Sequence, residues 1–168
     1  KIFSESNLMP QDIDNIYVVN GPGSFTGVRI GVTIAKVYSW AATKSVIPIS
    51  SLKAYALSLS NSDYYVSVLD ARRGHVYAGI YDNNYNVLMD EQYISLAELS
   101  AAIEKLEGQV MITGNAEVSL DKPSIPLTID PLKVVSYYKL QEPVNPHELK
   151  PRYLKKTEAE ESVEGLGC

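Results

Sequence analysis

The residues whose spacing suggests chemistry are Asn20-Gly21-Pro22-Gly23-Ser24-Phe25-Thr26-Gly27-Val28-Arg29. Glycines and a proline in such a run let the backbone bend where side chains would obstruct it. The run follows Ile16-Tyr17-Val18-Val19, a β-branched and aromatic stretch suited to the inside of a sheet. It precedes residues 28–43, too long for a strand and patterned as a helix. Thr26 is the expected N-cap, its hydroxyl accepting from the free amides of the first turn. A glycine-lined loop at a helix N-terminus can hold an anion, so Gly21, Gly23, Ser24 and Thr26 are candidate phosphate or nucleotide contacts. A tight packing turn without a ligand explains the same residues. Two nucleotide motifs come close and fail. A Walker loop needs a lysine where Val28 and Arg29 follow Gly27. The dinucleotide fingerprint needs glycine at the position of Thr26 and an acid closing the next strand, and Val46-Ile47-Pro48-Ile49-Ser50 has none.

Elsewhere the chemistry is thin. The histidines are His75, on an expected strand, and His147, among prolines, with no cysteine or paired carboxylate beside either. That pattern does not make a metal centre. Ser24 has no base and orienting acid nominated for it, as a hydrolase serine requires. No catalytic residue is assigned. The best remaining polar cluster is Asp70 with Arg72 and Arg73 at an expected hairpin tip. It reads as a solvated turn in which Asp70 bonds its own backbone, or as a second phosphate loop contacting a nucleotide or a partner's acidic surface.

These groups must be positioned by the following elements. Residues 1–8 read as the end of a helix and 9–12 as a turn; 15–20 and 46–50 are strands, with a helix at about 26–43 between them. That helix has one narrow polar stripe, Arg29, Thr33, Lys36 and Thr43, and is expected to be covered on most other sides. Opposite the stripe, Gly27, Gly31, Ala35 and Ser39 form a ridge of small residues that lets another backbone come close. The ridge packs on the chain's own sheet, or it meets a helix of another chain through Gly27, Val28, Gly31 and Ala35. A helix at 51–60 and a polar break at Asn61-Ser62-Asp63 follow. Residues 64–70, 75–81 and 86–94 read as antiparallel strands turned at 70–74 and 82–84. Ser95 and Glu98 make a capping box for a helix at 96–107 stopped by Gly108. A strand at 110–115, a proline-rich loop at 121–131, a helix at 132–140, an extended stretch at 143–151 and a frayed tail complete the chain.

With 168 residues, 45% hydrophobic and 21% charged, the chain can bury a core in one domain or two small lobes. A net charge of -5 and a pI near 5.0 argue against a stand-alone nucleic-acid binder whose affinity rests on phosphate neutralisation. Cys168, the lone cysteine, leaves no disulfide framework and fits a reducing cytosol. No signal peptide is recognised, and Arg29 and Lys36 interrupt the apolar helix, so no membrane span or membrane partner is expected. Strand–loop–helix followed by a meander suggests an α/β architecture of two similar lobes.

The wording of the first loop carries more. GPGSFTGVRIGVTIAK, with Ser50-Ser51-Leu52-Lys53-Ala54 after the next strand, closely resembles the TsaB (YeaZ) family, required to make threonylcarbamoyladenosine in tRNA. Asp70-Ala71-Arg72-Arg73-Gly74-His75-Val76-Tyr77 is similar to the family's DAR-x-G-E-V-Y hairpin, with His75 standing where the family usually has Glu. Leu149-Lys150-Pro151-Arg152-Tyr153-Leu154 is similar to its closing P-x-Y-L-R element. The resemblance implies an actin/Hsp70/sugar-kinase-like two-lobed fold, each lobe a mixed five-stranded sheet with helices. The chain would hold the later part of lobe one at 1–61, lobe two at 62–156 and a tail at 157–168. The strands expected beside residues 16–19 would lie upstream of Lys1. The resemblance also implies a non-catalytic cytoplasmic scaffold that binds a TsaD-like catalytic subunit and a TsaE-like ATPase, and pairs with itself when alone. Transfer of threonylcarbamoyl to N6 of adenosine would be the partner's chemistry. No cofactor would bind tightly, ATP entering only within the complex, and tRNA would be met mainly through partners. The run Lys150, Arg152, Lys155 and Lys156 is a solvated face or a tRNA or partner contact. Rival classes are a small phosphotransferase or glycoprotease-like enzyme, and a plain homodimeric binding module.

Overall fold

A computed structural model describes residues 2–116 and 124–155, and these form two units. One comprises the described residues of Lys1–Ser51 and Pro131–Arg152, the other those of Leu52–Asp130 and Tyr153–Cys168.

The first unit opens with a short helix, α1 (Ile2–Ser6), and a 3-10 turn at Pro10–Asp12. Strands β1 (Asn15–Gly21) and β2 (Ser45–Ser50) pair in parallel, Val18 beside Pro48 and Val19 beside Ile49. A parallel pair needs a crossover, supplied by helix α2 (Phe25–Ala42). Val18, Val32, Ala35, Val46 and Leu149 make the core, with Ile16, Val28 and Val144 against it. A last helix, Pro131–Tyr138, also belongs here. The extended stretch after it is tied down: Val144 N donates to Val46 O at 2.9 Å, and Lys36 Nζ donates to His147 O at 3.2 Å. These bonds and the burial of Leu149 explain why 131–152 joins the first unit, a correction to its expected place in lobe two at 62–156.

In the second unit, α3 (Ser51–Leu57) leads to β3 (Tyr64–Asp70), β4 (His75–Asp82) and β5 (Val87–Ser95), an antiparallel meander. Helix α4 (Leu96–Glu104) and β6 (Val110–Gly114) follow, then β7 (Ser124–Ile125). The sheet order is β5-β4-β3-β6-β7, with β6 parallel to β3: a mixed five-stranded sheet. On one face Val66, Val68, Val76, Ala78, Ile80, Val110 and Ile112 pack with Leu99 and Ile103 of α4. Full burial of such a side chain contributes about 1.5–3 kcal/mol. The other face carries Tyr65 and Tyr81, which pack with Ala56 and Leu59. The boundary falls at Ser51/Leu52, not at the expected 61/62, and Ala56 and Lys53 of α3 meet Tyr65 and Tyr81 of the second sheet.

Helix α4 keeps its capping box, Ser95 Oγ accepting from Glu98 N at 3.2 Å and Glu98 Oε2 accepting from Ser95 N at 3.1 Å. It ends at Glu104 with Lys105 as C-cap, short of Gly108. Gly108 instead sits at φ +143°, where a Cβ would collide with Asp63, whose Oδ2 accepts from Gln109 N at 2.8 Å. Within the expected proline-rich loop, β7 adds to the sheet, Ile112 beside Ser124. The expected tail at 157–168 lies outside the described residues.

Candidate functional site

The glycine loop is built from both sides. Asn20 Nδ2 donates to Lys150 O at 3.2 Å and Arg152 N donates to Asn20 O at 2.7 Å, so the late extended stretch lies along the end of β1. Gly21, at φ +124°, has no room for a Cβ because the Arg152 carbonyl fills that space. Ser51 Oγ, at the end of the first unit's opening segment, donates to Pro22 O and fastens the same turn. The first half of the loop is thus occupied by the chain's own backbone, which is the packing reading of Gly21. The second half, from Gly23 to Gly27, is exposed. Ser24, not Thr26, is the N-cap: its Oγ accepts from Gly27 N at 3.4 Å and its carbonyl from Val28 N at 2.9 Å. Thr26 is in the first turn. The cap thus lies two residues before the expected Thr26 and the helix starts at Phe25, with Arg29 stacked 3.8 Å above the Phe25 ring.

Asp70 and Arg72 belong to the second unit, in the tip between β3 and β4. Asp70 Oδ1 accepts from Arg72 N at 2.9 Å, the self-bonded turn weighed from the sequence. Asn115 Oδ1 accepts from Asp70 N at 2.8 Å and holds the tip to the end of β6. Arg72 and Arg73 are left-handed at φ 67° and 52°, with Gly74 at 74°. His75 is half-buried on β4, its Nδ1 3.1 Å from Arg73 O. The glycine loop and this tip therefore lie in separate units.

Helix α2 divides in a way its sequence hides. Val32, Ala35 and Ser39 are buried and Val28 packs beside them, so Val28 and Ala35, expected at a partner interface, point into the unit's own core. The small ridge splits: Ala35 and Ser39 face the sheet, while Gly27 is exposed and Gly31 is half-exposed with nothing within 4 Å of a Cβ built on it. The expectation of a helix covered on most sides fails at Ile30, Ile34, Val37 and Trp40, which are 54%, 63%, 58% and 66% exposed. These are the residues missed. A signal existed, since a helix apolar almost all round offers more than the one face that a sheet beneath it covers. Beside the stripe, Ile16 and Val18 of β1 with Gly31, Ile34 and Tyr38 of α2 line a cavity of about 380 Å³.

One buried ionisable group stands out in the second unit. Lys53, 6% exposed, donates to Tyr85 O and sits 4.3 Å from the Tyr81 ring centroid. Burial lowers its ammonium to about 8, against the pull of Glu91 and Asp82. Tyr81 donates in turn to Glu91 Oε1 at 2.7 Å. Among the described residues no cluster of His, Cys, Asp and Glu could hold a metal ion, and no helix is long and apolar enough to cross a membrane.

Comparison with known proteins places this architecture. The family described as TsaD, tRNA N6-adenosine threonylcarbamoyltransferase, matches residues 1–167. A Bacillus subtilis protein named tRNA threonylcarbamoyladenosine biosynthesis protein TsaB is 32% identical, over 95% of this chain and 77% of its own length. A Haemophilus influenzae protein of the same name is 40% identical over 46% of this chain and 34% of its own length. Among solved structures, YeaZ from Pseudomonas aeruginosa superposes with a TM-score of 0.74 at 20% identity, over 90% of this chain and 79% of that one, a likeness of fold. A second Pseudomonas aeruginosa structure, described as an uncharacterized protein with similarity to peptidase YEAZ, gives 0.72 at 21% identity, covering 92% and 79%. Sequence and fold therefore agree, and the chain belongs to the TsaB (YeaZ) family of tRNA threonylcarbamoyladenosine biosynthesis proteins.

Proposed function

We propose that this protein is a non-catalytic cytoplasmic subunit that holds a TsaD-like catalytic partner in working form for transfer of threonylcarbamoyl to N6 of adenosine in tRNA. The observation that carries the reading is the exposed apolar face of α2, Ile30, Ile34, Val37 and Trp40, with Gly27 and Gly31 beside it. Isolated exposed apolar residues are ordinary, but a contiguous helical stripe marks an interaction surface. Open glycines on its flank let a partner helix approach closely. Alone, the same face pairs two copies of the chain; with the catalytic subunit present, the partner takes it.

The chain's polar candidates are engaged structurally, which fits a scaffold. Ser24 caps a helix and Asp70 closes a turn. ATP and a TsaE-like ATPase then act in the assembly, with no tightly bound cofactor here and tRNA reached mainly through the partners. The test is Ile34→Glu, which sets a charge in the middle of the stripe. Ile34 is 63% exposed, so the variant keeps its melting temperature within a few degrees. Its affinity for the TsaD-like subunit, measured by calorimetry, falls at least about a hundredfold because the charge is desolvated without a counter-ion. Unchanged affinity would remove α2 as the interface.

A further inference from the structure

We propose that the β3–β4 tip, with the sheet face beside it, is a contact surface for single-stranded RNA. The proposal rests on the reading above that this protein serves tRNA modification, and it adds a direct contact to that role. Along β4, Val76, Ala78 and Ile80 are buried on the α4 side, so His75 and Tyr77 face the other way. The register sets Tyr77 opposite Tyr93 of β5. The His75 ring stacks on Tyr93 with centroids 4.8 Å apart and planes 5° from parallel, and Tyr77 leans on the same ring at 5.8 Å. Lys155 Nζ lies 5.1 Å from the Tyr93 centroid. All three rings are only half-buried.

At the tip beside them Arg72 and Arg73 are exposed, and neither guanidinium has an ion-pair partner among the described residues. The nearby carboxylates are engaged locally: Asp70 accepts the Arg72 amide, and Glu98 accepts from the Ser95 hydroxyl at 2.6 Å and its amide at 3.1 Å. Unpaired cations next to partly open rings suit a phosphodiester chain with unstacked bases. Guanidinium groups fork onto phosphate oxygens, and every base has a π-face to lay on a ring. An acidic protein segment would use the cations and leave the rings without a role. With the chain at -5 overall, such binding is local, modest and salt-sensitive.

The experiment uses the full-length protein, alone and with its TsaD-like subunit, and a fluorescein-labelled single-stranded RNA of mixed sequence, read by anisotropy across a salt series. Arg72→Gln with Arg73→Gln lowers the magnitude of the salt slope by about 1.4, two phosphate contacts at about 0.7 each. His75→Leu, which removes the ring stacked on Tyr93 beside the tip, leaves the slope unchanged and weakens binding about tenfold, within the range for one lost base stack. Should either variant lower the melting temperature, cross-linking of wild-type protein to 4-thiouridine RNA decides: adducts at residues 72–77 or 93 support the surface, and adducts elsewhere or none overturn it. Variants that bind RNA as wild type does, or displacement of the RNA by a polyglutamate peptide that binds more tightly, also overturn it. Affinity for the catalytic subunit is measured on the same samples. Loss of RNA binding by the variants with partner binding intact supports the RNA surface, whereas wild-type protein that binds RNA but no partner sinks the scaffold reading alone.

Discussion

The two units differ in how far each satisfies itself. The second surrounds a five-stranded sheet, with α4 over one face and α3 residues against part of the other, and its largest buried side chains include Tyr81, Leu99 and Ile103. The first has two strands among its described residues and leaves Phe25, Ile30, Ile34, Val37 and Trp40 of one helix in the open. Among the described residues, one unit therefore covers its apolar surface from within and the other leaves an apolar helix face exposed. The proposed binding role of α2 rests on that difference.

The largest expected effect breaks the covered side. Leu99→Ala removes a side chain that is 0% exposed and costs about 2–5 kcal/mol in denaturant unfolding. Its counterpart in the first unit, Ile34→Ala, stays within about 0.5 kcal/mol of wild type. Equal losses at the two positions would erase the contrast.

Next is the pH dependence of Lys53. Its folded value of about 8 lies below 10.5, so between those values the unfolded chain holds a proton that the folded one has released. Stability therefore rises with pH through that window, by an amount on the order of 2–3 kcal/mol at most. Above about pH 10 the gain is opposed, because burial raises Tyr55, Tyr77 and Tyr85 and the folded state then retains protons that the unfolded state loses. Lys53→Met flattens the rise in urea titrations run from pH 7 to 10. A rise that persists in the variant would assign it to another group.

How much of this was legible in the sequence follows the same divide. In the second unit, β-branched and aromatic runs between turn residues set the meander, Asp70 set its first turn, and Ser95 with Glu98 announced α4. Those signals are local and each carries its own geometry. The TsaB-like motifs placed the family and the two-lobed fold. In the first unit the signals were ambiguous. An almost uniformly apolar α2 does not say which side meets the sheet: the ridge stays open between the chain's own sheet and a partner, Val28 and Ala35 turn out to face the core, and Ile30, Ile34 and Val37 are not singled out. Ser24 and Thr26, with Phe25 between them, both offer a capping hydroxyl, and the expectation of Thr26 gives way to Ser24. The attachment of 131–152 depends on bonds such as Arg152 N to Asn20 O, separated by most of the chain, and no local pattern reports them.

A smaller effect sharpens the capping assignment. Ser24→Ala costs about 1 kcal/mol, whereas Thr26→Ala, not at the cap, costs less than about 0.5 kcal/mol by the same denaturation assay. The reverse order would restore Thr26 as the cap.

Gly31→Leu tests the central claim most directly, by comparing melting temperature with affinity for the TsaD-like subunit in full-length protein. Nothing lies within 4 Å of a Cβ at Gly31, so the fold accepts the larger residue, and replacing a helical glycine offsets any local crowding. The account predicts melting within a few degrees of wild type and binding at least about tenfold weaker, the overpacking cost of about 1–3 kcal/mol falling on association. A variant that melts much earlier yet binds normally when folded would place Gly31 in the core and contradict the assignment of α2 as the binding surface.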